Sequence, residues 1–164
     1  MAAPSCFTDD LSLLYDLSLS VGATLVPHDN ARAFVDTLVA RTPLDYAAVW
    51  MRDGGDGLHR VHAATRDLPV PDRLAGTHPL WIRLQQVPHL SLSTMDATAA
   101  LLLPERALPD GAYAAHRLGE LGFVEFYRAG RGMPFSDEEL EPLAPILSKL
   151  RRALQGSRAP QPLQ

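Results

Sequence analysis

The chain is 164 residues long and carries a formal net charge of −4, with a pI near 5.8. Its 46% hydrophobic and 21% charged composition suits one globular domain with its own core, and the acidic balance excludes a basic nucleic-acid surface. A single cysteine, Cys6, excludes an internal disulfide and cysteine-based metal or redox centres, and no apolar run approaches the ~20 residues of a membrane span.

Residues 1–7 are expected to fray. The N-terminus lacks the basic and apolar regions of a signal peptide, so the expected location is the cytoplasm. Thr8-Asp9-Asp10 reads as a helix start, a hydroxyl cap followed by acids at the positive end of the helix dipole. Leu11, Leu14, Leu17, Val21 and Leu25 form an apolar stripe, Leu13 adds a second contact, and Pro27 ends the helix. Asp29 or Asn30 caps a second helix over 31–41, with Phe34, Leu38 and Val39 inward.

Residues 45–52 read as a strand, 53–57 as a glycine-rich hairpin loop and 58–65 as the returning strand. The stretch 66–76, with prolines at 69 and 71, reads as loop. Thr77 or His78 starts a short helix carrying Leu80, Trp81 and Leu84, and residues 89–93 alternate as a third strand. Ala97 to Leu103 suits a helical turn, followed by a covering loop to Gly111.

Two strands flank Gly119-Glu120, a pair suited to a type II′ turn. In the second, Phe123, Glu125 and Tyr127 share one face and Val124, Phe126 and Arg128 the other, which predicts a central strand covered on both sides. Ser136 with Glu139 makes a capping box, and Leu140, Leu143, Leu147, Leu150 and Leu154 form a helical stripe. Pro142 and Pro145 predict irregular first turns, with regular helix from about Leu143. The tail 156–164 reads as linker, leaving 8–155 as the domain. The predicted fold class is α+β: a five- to six-stranded, mainly antiparallel sheet. Its terminal helices cover one face, and a short helix with loops covers the other.

Candidate functional residues follow from this layout. Trp50, Trp81, Tyr113 and Phe126 are placed to line an apolar pocket between sheet and covering loops, the alternative being a filled core. His62, His89 and His116 come from three different strands and complete the candidate ligand-binding set, with a haem or metal sensor as an alternative reading. His59 and His62, three apart on one regular strand, are expected on opposite faces and so unable to chelate together. No Ser-His-Asp or Cys-His spacing stands out, so no catalytic residue and no metal ligand set is assigned. Leu11, Leu14, Leu147, Leu150 and Leu154 on the terminal helices are the candidate dimer interface, with burial against the sheet as the alternative.

The order of elements, with Leu14 to Ala23, Asp45 to Trp50, Leu121 to Tyr127 and Pro134 to Leu140, resembles the GAF domain, a sensory module of bacterial signalling proteins. Pro145 to Leu150, with the hairpin before it, is similar to a variant at the N-terminus of sensor histidine kinases. The resemblance implies a non-catalytic sensory or regulatory domain in two-component signal transduction. It would bind an unidentified small molecule or a partner, relay through its terminal helices as a homodimer, and act on a downstream output domain, without nucleic acid or membrane insertion. The cofactor is unknown. No covalent bilin is expected, because bilin-binding members attach the pigment through a core cysteine and Cys6 lies outside the fold. Methionine-sulfoxide-reducing members need more than one working cysteine, and the Asn-Lys-Phe-Asp-Glu set of cyclic-nucleotide binders is absent.

Overall fold

Strands β1 (Tyr46–Arg52), β2 (Leu58–Thr65), β3 (Arg73–Leu74), β4 (His89–Ser93), β5 (Gly111–Arg117) and β6 (Gly122–Ala129) form one antiparallel sheet, ordered β3-β2-β1-β6-β5-β4. This is the architecture of a computed structural model that describes residues 11–22, 25–65, 71–106, 108–130 and 133–157. The expected fraying of 1–7, the cap at Thr8 to Asp10, most of the loop from Arg66 and the tail beyond Ser157 lie outside the described residues. The α+β layering is as expected. The two-residue β3 is an addition within the stretch read as loop.

One face is covered by α1 (Leu11–Ser20), α2 (Pro27–Arg41) and, at the chain's end, α6 (Ala144–Ser157). Two short helices, α3 (Pro79–Gln86) and α4 (Ala97–Leu102), cover the other. His78 caps α3 by accepting from the Leu80 amide at 3.1 Å, and Asp96 caps α4 by accepting from the Thr98 amide at 3.1 Å. As its two apolar faces predict, β6 is central and buried along most of its length.

Three expectations are corrected. Pro27 begins α2 at its first position, where its missing N–H costs no helical bond, and α1 ends earlier, before Gly22 at φ +88°. The buried stripe of α1 is Leu13, Leu17 and Val21. Leu11 lies two residues from Leu13, roughly 200° around the helix, and is 79% exposed. A β-bulge between Val49 and Trp50 brings His62 opposite Val49 and His59 opposite Met51, so both histidines are on the helical face. Regular alternation would have separated them.

The C-terminal segment follows its prolines. Ser136 and Glu139 form the capping box of α5 (Asp137–Leu140), Glu141–Leu143 makes a 3₁₀ turn containing Pro142, and α6 takes Pro145 into its first turn. Neither proline interrupts a bond that regular helix would require. Gly156 and Ser157 are still helical, so α6 runs into the stretch read as linker. In the β5–β6 hairpin Gly119 takes φ +59°, the positive value that the first residue of a type II′ turn needs.

Candidate functional site

At the centre of the face beneath α3 and α4 sits a fully buried carboxylate, Glu125. The register explains how it fits. Directly across from Glu125 stand Ala48 on β1 and Ala115 on β5, two small residues that leave room for its side chain. Tyr46 and Trp50 lie two positions either side of Ala48, and Tyr113 two positions before Ala115, within diagonal reach of long side chains.

All three use that reach. Oε2 accepts from the Tyr46 hydroxyl and from Trp50 Nε1 at 2.8 Å. Oε1 accepts from the Tyr113 hydroxyl at 2.5 Å and from Arg106 Nη1 at 2.8 Å. Arg106 comes from the segment after α4, its side chain only 2% exposed and its guanidinium 6.0 Å from the Trp50 ring centroid. Burial pushes Glu125 toward protonation, but Arg106 and the tyrosine hydroxyls outweigh it and hold the carboxyl below its ordinary range. Burial also works against the Arg106 cation, and the Glu125 charge more than restores it. Both Tyr46 and Tyr113 are pushed well up, by burial first and the adjacent Glu125 charge second. The result is an ionised Glu–Arg pair with each carboxylate oxygen doubly satisfied.

The rest of this face is filled by aromatic rings. Phe123 stacks with Trp50 at 5.9 Å and with Trp81 at 6.1 Å. A cavity of about 140 Å³ on this side is lined by Thr94, Ala99, Ala100, Leu103, Arg106 and Leu108. The Arg106 Nε and Nη2 atoms are buried and without hydrogen-bond partners among the described residues, although Glu105 Oε1 lies 3.5 Å from Nε. Unlike the carboxylate it pairs with, this guanidinium retains donors for a further acceptor.

The candidate ligand set divides between the two faces of the sheet. Trp50, Trp81 and Tyr113 belong to the face just described, whereas Phe126 is in the core beneath the helices. His89 and His116 stand opposite each other across β4–β5 with rings 5.3 Å apart, and His116 lies 5.8 Å from Phe126. His62 is elsewhere on the helical side, bonded to Asp36 of α2 at 2.8 Å and 6.5 Å from the His28 ring. Burial first, and the neighbouring His89 second, bring His116 down to about 4. Among the described residues no group of three or more His, Cys, Asp or Glu is placed to hold a metal ion.

The candidate dimer residues divide as well. Leu147, Leu150 and Leu154 are 6%, 0% and 0% exposed and belong to the core against the sheet. Leu14 is half-buried, and Leu11 is exposed on the outer side of α1 with Tyr15 and Leu19.

Glu125, Arg106 and Tyr46 were not among the candidates. One signal was available: a glutamate between Phe123 and Tyr127 on a strand apolar on both faces has to be buried with partners. Nothing in the sequence points to Arg106, which lies in the chain's least periodic stretch.

No family model matches the chain, and no curated protein does so either. Solved structures do. The GAF domain of a phosphoenolpyruvate-protein phosphotransferase from Acinetobacter superposes with a TM-score of 0.73 at 11% identity, covering 94% of this chain and 97% of that one. The phycocyanobilin-bound GAF domain of a cyanobacterial phytochrome gives 0.68 at 13% identity, over 89% and 93% of the two chains. The free methionine-R-sulfoxide reductase of Neisseria meningitidis, in complex with its substrate, gives 0.68 at 12% identity, over 96% and 98%. The chain therefore has the GAF fold.

Proposed function

We propose that this GAF-fold domain is a non-catalytic sensory or regulatory module that works through its helical layer, associating with a second copy along α1 and passing the state of that contact to α6. The observation that carries this reading is the outer stripe of α1. Leu11, Tyr15 and Leu19 are 79%, 64% and 54% exposed at four-residue spacing, which aligns them on one side of the helix. The inner side is already committed to the core, so the outer stripe is surplus to folding. A second copy brings the same stripe and makes a self-complementary contact.

The link from α1 to α6 supports the relay. Lys149 Nζ donates to the Ser18 carbonyl at 2.6 Å, placing a cation from α6 on the C-terminal turn of α1. A change in α1 is thereby felt by the helix that leads out of the domain, toward an output protein in a cytoplasmic signalling system of the sensor-kinase kind. The non-catalytic reading draws on the Glu125 carboxylate, whose oxygens are taken up by Tyr46, Trp50, Tyr113 and Arg106, and on the single cysteine in the sequence.

A second reading is favoured by the unsatisfied nitrogens of Arg106. A small ligand offering acceptor oxygens in the adjoining cavity would complete that guanidinium and bias α4 over the sheet, provided that it binds two states of the domain unequally. Sedimentation velocity tests the first reading. The wild-type chain is expected to sediment as a dimer and the Leu11→Ser/Tyr15→Ser/Leu19→Ser variant as a folded monomer. A wild-type monomer at all concentrations would count against it.

A further inference from the structure

A recess lies on the helical side of the sheet, opposite the Glu125 cluster, where the β4–β5 edge meets α5 and α6. It comprises adjoining hollows of about 250 and 330 Å³ that share His89, His116 and Ala144. The two imidazoles lie side by side at one end of the strand pair, near-parallel at 16°. His116 Nε2 is buried and has no hydrogen-bond partner among the described residues. A buried polar atom left in that state calls for a partner that the protein itself does not supply.

The hollow on the α6 side is cationic. Arg151 of α6 lies over the hairpin turn, whereas the Arg117 side chain, next to His116 on β5, turns to the opposite face and donates to the Gln85 carbonyl of α3 at 3.3 Å. A Cβ on Gly119 would come within 3.2 Å of Arg151 Cδ, so the bare glycine lets the arginine lie there. Arg151 has no ion-pair partner among the described residues. Beside it the wall is apolar, formed by Leu118 and Leu147. The hollow on the α5 side is bordered instead by Asp137 and Glu141, so charge is separated along the recess.

We propose that this recess binds a small oxyanion-bearing molecule, a carboxylate or a phosphate, with its anionic group held by Arg151 and an oxygen taken up by His116. Guanidinium groups suit such anions because their donors match two oxygens at once, and charge-assisted bonds are the stronger kind. The apolar wall and the imidazole faces receive the body of the molecule. Asp137 and Glu141 repel anions from the far end and set the orientation. His89 is the exposed ring of the pair and borders both hollows. The site is independent of the α1 contact and of the cavity at Arg106.

The test is an NMR titration of the full chain, reading the imidazole nitrogens of His116 and His89 and the side-chain Nε of Arg151. Inorganic phosphate and benzoate serve as probes, with chloride at equal ionic strength as control. The expected result is saturable shifts of these three residues with at least one probe and none with chloride. Phosphate alone would identify a phosphate-bearing ligand, benzoate alone a carboxylate. Arg151→Ala, an exposed helical substitution, is expected to weaken binding about tenfold without changing thermal stability. His116→Phe, which keeps an aromatic ring against Phe126, is expected to abolish it. Should that variant fail to fold, Ser148→Glu, which sets a carboxylate in the lining of the hollow, serves in its place. No saturable shift with either probe, equal shifts with chloride, or binding undiminished in Arg151→Ala would overturn the proposal.

Discussion

Arg106 Nη1 donates to Glu125 Oε1 across 2.8 Å, with both side chains buried in the middle of a sheet face. This pair ties a segment lacking regular structure to the central strand. Removing one partner leaves the other charge buried and uncompensated, at a cost of about 3–5 kcal/mol, while an apolar replacement of both is milder. Arg106→Leu is therefore expected to destabilise the domain strongly, and Arg106→Leu/Glu125→Leu by less than the sum of the single changes. Denaturant unfolding, followed by the fluorescence of Trp50 and Trp81, supplies the double-mutant cycle.

The two tyrosines on that carboxylate make the fold sensitive to alkali. Their folded values are raised above the ordinary 10.0 by burial and by Glu125. An acid held neutral in the folded state stabilises below its unfolded value, and that contribution is lost as pH rises beyond it. Stability is expected to fall from about pH 10 upward, and Tyr46→Phe/Tyr113→Phe to soften the fall while lowering stability at neutral pH. Ultraviolet absorbance of tyrosinate, recorded alongside circular dichroism, checks this: Tyr46 and Tyr113 should ionise only together with unfolding.

His116 contributes in the opposite direction. Its folded value of about 4 lies below the 6.5 of an unperturbed histidine. Between those values the unfolded chain takes up a proton that the folded chain refuses, so its contribution declines as pH drops from about 6.5 to about 4 and is constant below. Partial exposure limits the effect to the order of 2 kcal/mol. The pH dependence of thermal unfolding in wild type and His116→Gln measures it, with a shallower acid slope expected in the variant.

Gly122 is a backbone position with no room for a side chain. It takes φ +155°, and a Cβ there would lie 1.9 Å from the Trp50 carbonyl oxygen. Gly122→Ala has to push β6 away from β1 and is expected to cost several kcal/mol or prevent folding. Gly54→Ala, with nothing within 4 Å of the added carbon, is the control and is expected to be near neutral. Thermal unfolding of the two variants separates them.

Features set by local chemistry were legible in the sequence. The capping box at Ser136, the prolines that delay α6 and the alternation of Phe123 to Tyr127 all act within a few residues, and the structure follows them. The bulge opposite Val49 was hidden because it arises from pairing between strands. The burial of Leu13 in preference to Leu11 depends on which side of α1 meets its neighbours, and both stripes have helical spacing. The Glu125 cluster draws on residues 46, 50, 106, 113 and 125, brought together by register alone. His89 and His116 stand side by side on one face, while His62 pairs with Asp36, because β2 lies on the far side of β1 from β5; that placement depends on strand order, which no local pattern encodes.

Trapping at Tyr15 tests the functional proposal most directly. In an isologous contact centred on Leu11, Tyr15 and Leu19, the middle residue lies nearest the twofold axis and faces its own copy. With Cys6→Ser removing the native thiol, Tyr15→Cys is expected to form a disulfide-linked dimer rapidly under mild oxidation. Met133→Cys, an equally exposed position away from α1, should not. Equal and slow linkage at both positions, with the uncrosslinked chain monomeric, would contradict a module that works through α1.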